Sequence, residues 1–371
     1  MERLSFSPMA VRRLDPVEES LPFTLTDVSV EKIAGATLEW LHSSGNLFYV
    51  DFREQGILEK TERFMAACDA YFYIYPISGD FLPLAIRPNA GGDLIYTPLD
   101  SPNDWLLAKM MFNVNDVGFT QLYHFAGTHA VASIVRQAAI RTLSDHHPVL
   151  GMLNRAPSMA LPPVYFEYWR PSRGLYRSKF GPQLKSFPFL EDAAEIEASL
   201  REFFTSFVNS YYPCVVNILK DVELQNWMKE AAAAEIIDFP LPPLVDTSTL
   251  IDILTHLAYL TTVLHHTLNT NDLFSSARAE QAIGAISLAA NFNRPQSIVS
   301  NSTLLHLFDE PRMLARLNDA SRDAAQHFTK VMQNLSEVIS SRTFDADGLS
   351  QGMPFVWKAL DPNVAPDTLA V

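Results

Sequence analysis

Gln121-Leu122-Tyr123-His124-Phe125-Ala126-Gly127-Thr128-His129 lies inside a helical pattern that runs over roughly 117 to 143. The step of five between its two histidines sets how the chain is read. In a regular α-helix five residues advance about 500°, which leaves His124 and His129 roughly 140° apart. Two structural histidines on different faces satisfy that spacing. One metal ion would draw both side chains together only if the turn widens to a π-bulge, where i and i+5 align and functional sites are favoured.

Helical periodicity continues outward from this stretch. Asp104 is placed to cap a helix through Trp105-Leu106-Leu107-Ala108-Lys109-Met110, and further helical patterns cover about 191–211, 220–233, 247–270, 277–291, 301–307 and 309–342. Upstream, Leu47-Phe48-Tyr49-Val50, Tyr71-Phe72-Tyr73-Ile74-Tyr75 and Leu82-Pro83-Leu84-Ala85-Ile86 read as short strands, with a hairpin turn at 88–92. The proline-rich segment 155–188 reads as loop, and Leu349 to Val371 is a proline-punctuated apolar tail. There is no internal repeat. The expectation is a mainly α protein, one compact domain over 1–371, with a strand-rich entry at 24–100 and a helical core at 101–371.

Composition narrows the function classes. The 371 residues carry 28 Lys+Arg against 42 Asp+Glu, a net charge of −14, which argues against phosphate backbones or anionic membranes as the main partner. With 48% hydrophobic and 19% charged residues the chain supports a large core and is not mainly disordered. Fourteen glycines are few, and 24 phenylalanines and 24 prolines are many, against any collagen-like or glycine-loop design. Cys68 and Cys214 cannot build a disulfide framework or a thiolate cluster, so a reduced compartment is expected. Met1 to Leu21 has no signal-peptide core, and no apolar run of about 18 residues is evident, so the expectation is a cytoplasmic chain without a transmembrane segment.

Two further features have the chemistry of a metal site. His265 and Asn269, at i and i+4, share a helix face, with His266 beside them. A neutral imidazole and an amide oxygen there suit a divalent ion of intermediate hardness, and equally a buried hydrogen-bonded pair. The terminal carboxylate of Val371 follows an apolar tail; drawn inward, that charge needs a partner, and a metal is the obvious one. Three imidazoles, an amide and a carboxylate suit iron or manganese, with a sixth position left for water.

These elements and their surroundings resemble the lipoxygenases, and most closely the fungal manganese lipoxygenases. The resemblance rests on Asp104-Trp105-Leu106-Leu107-Ala108-Lys109, Thr128-His129-Ala130-Val131, Arg141-Thr142-Leu143-Ser144 and His147-Pro148-Val149. It continues in Leu224-Gln225-Asn226-Trp227, His265-His266-Thr267-Leu268-Asn269, Asn291-Phe292-Asn293-Arg294, and Leu349-Ser350-Gln351-Gly352-Met353-Pro354-Phe355-Val356-Trp357 with Leu360-Asp361-Pro362. It covers about 36–153 and 186–371. It implies a lipoxygenase-like helical catalytic domain without a β-sandwich lipid-binding domain. One manganese or iron ion per chain would be held by His124, His129, His265, Asn269 and Val371, its bound hydroxide taking the hydrogen atom. Valine at the end favours manganese. Arg294 falls where those enzymes have an arginine proposed to hold the fatty-acid carboxylate; a surface salt bridge is the other reading. Thr120 replaces a further histidine, common in the family but not a ligand. The implied reaction abstracts a bis-allylic hydrogen from a polyunsaturated fatty acid or related polyene and adds O2 to give a hydroperoxide, with no nucleic acid involved.

The chain departs from the family pattern at the substrate cavity. Its early catalytic-domain helices are expected to be missing, 154–186 is short, and an insertion after Asn269 is reduced to Thr270 through Ala277. A rebuilt cavity admits a compact lipoxygenase. It also admits an isomerase, cyclase or hydroperoxide-processing enzyme of specialised metabolism, or a degenerate lipid-binding protein. Lost covering helices would leave apolar surface for another subunit to hide, so an oligomer is possible.

Overall fold

The computed structural model describes residues 7–57, 66–89, 92–153, 181–182, 184–234, 236, 239–268, 303–352 and 356–365. They fall into two compact units: Met1–Gln121 with Gly174–Leu190 and Gln351–Pro354, and Leu122–Arg173 with Glu191–Ser350 and Phe355–Val371.

In the first unit, β1 (Arg12–Arg13), β2 (Leu47–Asp51), β3 (Asp69–Ile74) and β4 (Phe81–Arg87) form an antiparallel sheet in chain order. Two helices precede β2, α1 (Asp27–Ala34) and α2 (Leu38–Ser43), their amides capped by the Thr26 and Thr37 hydroxyls. Gly35, at φ 68°, closes α1 in the left-handed region that glycine adopts without strain. Strand β3 is buried on both faces, which explains its continuous aromatic run. Tyr71 and Tyr73 enter a core with Leu14, Phe23, Val30, Leu38 and Leu41. Phe72 turns to the other face, 5.5 Å from Phe81 and 5.8 Å from Phe112. The buried Asp69 carboxylate is fully matched, by Nε and Nη2 of Arg87 (2.9 and 2.6 Å) and by the Tyr49 hydroxyl (2.7 Å).

Helix α3 (Pro102–Tyr123) begins two residues before Asp104. Proline occupies its first turn, and Ser101 rather than Asp104 serves as cap: Asp104 N donates to Ser101 Oγ at 3.3 Å, and that hydroxyl donates to the Asp104 carboxylate at 2.7 Å. The chain then runs without a break through a π-helical segment, His124–Ala130, into α4 (Val131–Thr142), so the two helices expected at 104 and 117 are one.

The second unit continues with α5 (Pro148–Leu153), α6 (Pro188–Tyr211), α7 (Val215–Lys220), α8 (Val222–Ala233), α9 (Thr247–Tyr259), α10 (Pro311–Leu314) and α11 (Asp319–Ser340). Asn318 caps α11, splitting the helix expected over 309–342, whereas Asp221 caps α8 within two residues of its expected start at 220 and follows a short α7 that was not expected. The 301–307 pattern becomes a short 3-10 turn, Leu304–His306. The expected 277–291 helix lies outside the described residues, as does most of the 155–188 loop. Helix α4 packs on α8, where Trp227 is fully buried and its indole N–H donates to Val135 O at 3.1 Å. Phe203 of α6 stacks on Phe308, and Phe204 of α6 and Phe328 of α11 meet this pair edge-on.

Contrary to the reading of apolar runs, one helix, Thr247–Leu268, is long and apolar enough to cross a membrane, with 22 residues and a mean hydropathy of 1.2. It is a core helix by position: 72% of its apolar window is buried inside the protein. Among the described residues the strands form one four-stranded sheet and no β-sandwich.

Candidate metal centre

The widened turn forms where the histidine spacing asked for it. His124 opens the π segment and His129 lies near its end, with their Nε2 atoms 3.3 Å apart. The third histidine arrives on the apolar helix: α9 passes through a second π segment, Leu260–Leu264, and His265 follows directly. The two π segments pack on each other. Ring centroids of His124, His129 and His265 lie 5.0, 4.9 and 4.7 Å apart pairwise, and one nitrogen from each falls within 4.8 Å of the others. Metal–nitrogen bonds of about 2.1 Å put cis ligands about 3 Å apart, so His124 and His129 stand at the spacing of adjacent ligands, with His265 beside them.

Its surroundings keep one donor, His129, neutral. His129 and His265 are buried, and burial pushes the His129 imidazole down to about 4, so at neutral pH it offers a lone pair. His266, one residue on, turns away and donates from Nε2 to Ala359 O at 2.7 Å, which excludes it from the triad.

Threonine hydroxyls back-bond to carbonyls about one turn earlier at both widened segments. Thr128 Oγ1 donates to His124 O; Thr261 and Thr262 donate to Ala258 O at 3.1 and 2.7 Å, and Thr267 to Val263 O at 2.7 Å. Gly127 completes the turn. A Cβ there would meet the Tyr123 ring at 2.7 Å, so the widened segment closes only over a residue without a side chain. The sequence reading missed both features, although the Thr-Thr pair before His265 and the glycine between the histidines were visible signals.

Asn269, Arg294 and Val371 lie outside the described residues. The tail that leads to Val371 is described as far as Ala365 and is drawn inward: Leu304 N donates to Ala365 O at 2.7 Å and Leu305 N to Pro362 O at 2.9 Å, with Trp357, Leu360 and Ala365 buried. Thr120 is spent elsewhere, donating to Asp116 O at 3.0 Å.

A family model described as Lipoxygenase matches residues 178–275. The manganese lipoxygenase of Fusarium oxysporum is 40% identical over 445 aligned positions, covering 100% of this chain and 73% of that one. The chain belongs to the lipoxygenase family. The manganese lipoxygenase of Colletotrichum gloeosporioides is 39% identical at the same coverage. Among solved structures, the manganese lipoxygenase of Gaeumannomyces graminis matches this lipoxygenase with a TM-score of 0.79 at 37% identity, covering 100% of this chain and 78% of that one. An alignment of 445 positions against 371 residues places gaps inside this chain, in keeping with the short segments read from its sequence. It is therefore a lipoxygenase-like dioxygenase, an oxidoreductase whose non-haem ion is manganese or iron.

Proposed function

We propose that His124, His129 and His265, completed by the Asn269 side chain and the Val371 carboxylate, hold the manganese or iron ion, and that this centre oxygenates a polyunsaturated fatty acid to its hydroperoxide. The observation that carries the reading is the convergence of three imidazoles, two of them buried, from two π-widened helices. When bound, the ion supplies the one-electron redox chemistry that breaking a doubly allylic C–H bond requires. The protein's share is placement. It presents His129 as a neutral imidazole, fixes the histidines' angles through the widened turns, and buries Leu260, Val263 and Leu264 in the segment that precedes His265, apolar bulk that keeps water from a substrate radical. Arg294 receives the substrate carboxylate in this reading.

Metal analysis combined with oxygen uptake on linoleate tests it. Stoichiometric manganese or iron, oxygen consumption and a conjugated-diene product are expected. Bound metal without oxygen uptake on any fatty acid would move the assignment to an isomerase or hydroperoxide-processing enzyme. His129→Ala and His265→Ala are expected to lose the metal and remain helical by circular dichroism. Retention of full metal content in both would remove the triad from the centre.

A further inference from the structure

Helix α7 buries one side chain, Ile218, against the second unit. Val215, Val216 and Leu219 of the same helix are exposed, as is Val222 just past the Asp221 boundary. The segment 241–245 adds the exposed Leu241 and Val245. Gln225 fixes that segment beside α7: its Nε2 donates to Ile218 O at 3.1 Å and to Leu244 O at 2.8 Å, and its Oε1 accepts from Leu244 N at 3.0 Å. Six large apolar side chains, each 46 to 82% exposed, therefore gather in one place. Their combined area is on the order of a few hundred Å², the size at which an apolar patch on a monomer is often functional. The patch is also nearly uncharged, in a chain of net charge −14. Each carboxylate bordering it is engaged by the chain's own donors: Asp221 by Tyr212, His147 and Leu224 N, Glu223 by Ser144 N at 2.7 Å, and Asp246 by Thr249. Lys220 is the one charged residue of α7, and it is exposed. A second copy on this face would bring two strongly negative molecules together. A zwitterionic lipid layer carries no such penalty. Short apolar side chains on a surface-lying helix enter its headgroup boundary, and a lysine at the edge reaches back to the phosphates.

We propose that α7, with Val222 and the segment 241–245, docks the protein on a zwitterionic lipid surface. This goes beyond the reading of the metal centre and does not depend on it, since the test follows binding and not turnover. Co-sedimentation of the full chain with phosphatidylcholine vesicles is combined with the reactivity of Cys214, which is exposed next to Val215, whereas Cys68 is buried. The parent protein is expected to partition onto the vesicles, with Cys214 shielded there from a water-soluble maleimide. Val216→Glu with Leu241→Glu should lower the partition coefficient roughly tenfold or more, since each change removes apolar burial and adds a charge. Leu106→Glu with Met110→Glu, at exposed positions of α3, should leave it unchanged. Helicity of each variant is checked by circular dichroism, and Leu219→Glu with Val245→Glu replaces the first pair if that pair does not fold. No partition of the parent, partition with Cys214 still reactive, or binding confined to anionic vesicles overturns the proposal. Equal partition by parent and patch variants, or an equal loss from the α3 pair, does so too. Dimerisation of the parent that Val216→Glu with Leu241→Glu abolishes would give the patch to a second copy and likewise overturn it.

Discussion

A methyl group on Gly127 would sit 2.7 Å from Cδ2 and Cε2 of the Tyr123 ring, closer than real Cβ atoms approach. Helix propensity favours alanine over glycine by about 1 kcal/mol. Overpacking of this severity costs about 1–3 kcal/mol, and relief requires the ring to leave or the widened turn to tighten. Either outcome moves His124 relative to His129, so Gly127→Ala should lower both melting temperature and metal content. Adding Tyr123→Ala removes the clash and should recover most of the metal. A single variant with full occupancy would show that the turn tolerates a side chain. At this level the sequence was partly legible. The five-residue histidine step admitted either two structural histidines on different faces or a π turn that converges them, and spacing alone does not choose. The role of Gly127 was hidden, since it depends on where Tyr123 packs, and no spacing rule reports that.

Helix α8 shows how one carboxylate can serve an element end and a long-range network together. Asp221 caps α8 by accepting from Leu224 N at 2.9 Å, and it accepts from the Tyr212 hydroxyl at 2.7 Å and His147 Nε2 at 3.1 Å. The His147 tautomer is fixed, because Val149 N donates to Nδ1 at 3.2 Å and the ring hydrogen must then sit on Nε2. Burial alone would raise the Asp221 carboxyl; the hydrogen bonds from His147, Leu224 N and Tyr212 outweigh it and hold the group at about 2, below its ordinary 3.8. A depressed carboxyl contributes stability above its unfolded pKa and loses it as pH falls through the folded value, here between about pH 4 and 2, worth about 2 kcal/mol. Urea melts across that range should show the parent protein losing this increment and Asp221→Ala, already less stable at pH 7, losing correspondingly less. Parallel pH profiles would deny the network its linkage. The periodic apolar faces of α6, α8, α9 and α11 were legible in the sequence. The break at Asn318 was not placed, because a capping side chain in mid-pattern looks like any exposed polar residue until its amide partner is known.

The tail joins distant parts of the second unit, and its anchors bear on the metal centre. His266, next to the triad residue His265, holds Ala359 O, Ser336 Oγ donates to Asp361 Oδ1 at 2.6 Å, and Leu304 and Leu305 hold the chain to Ala365. Arg342 is the hub: Nη1 and Nη2 donate to Asp192 at 2.8 and 2.6 Å, and Nη1 also donates to Trp357 O at 3.2 Å. Asp192 is 2% exposed, and burial raises its pKa despite the opposing pull of Arg342. Arg342→Leu would leave that carboxylate buried and unpaired, a loss of about 3–5 kcal/mol, and would release Trp357 O. If Val371 ligates the ion, a loosened tail weakens the centre as well as the fold, so metal stoichiometry should fall with stability. Asp192→Leu with Arg342→Leu removes the unpaired charge and should restore much of the stability. Metal content in that double variant separates the two effects: occupancy that stays low while stability returns ties the ion to the tail's position, whereas full occupancy with a protease-sensitive tail would detach Val371 from the centre.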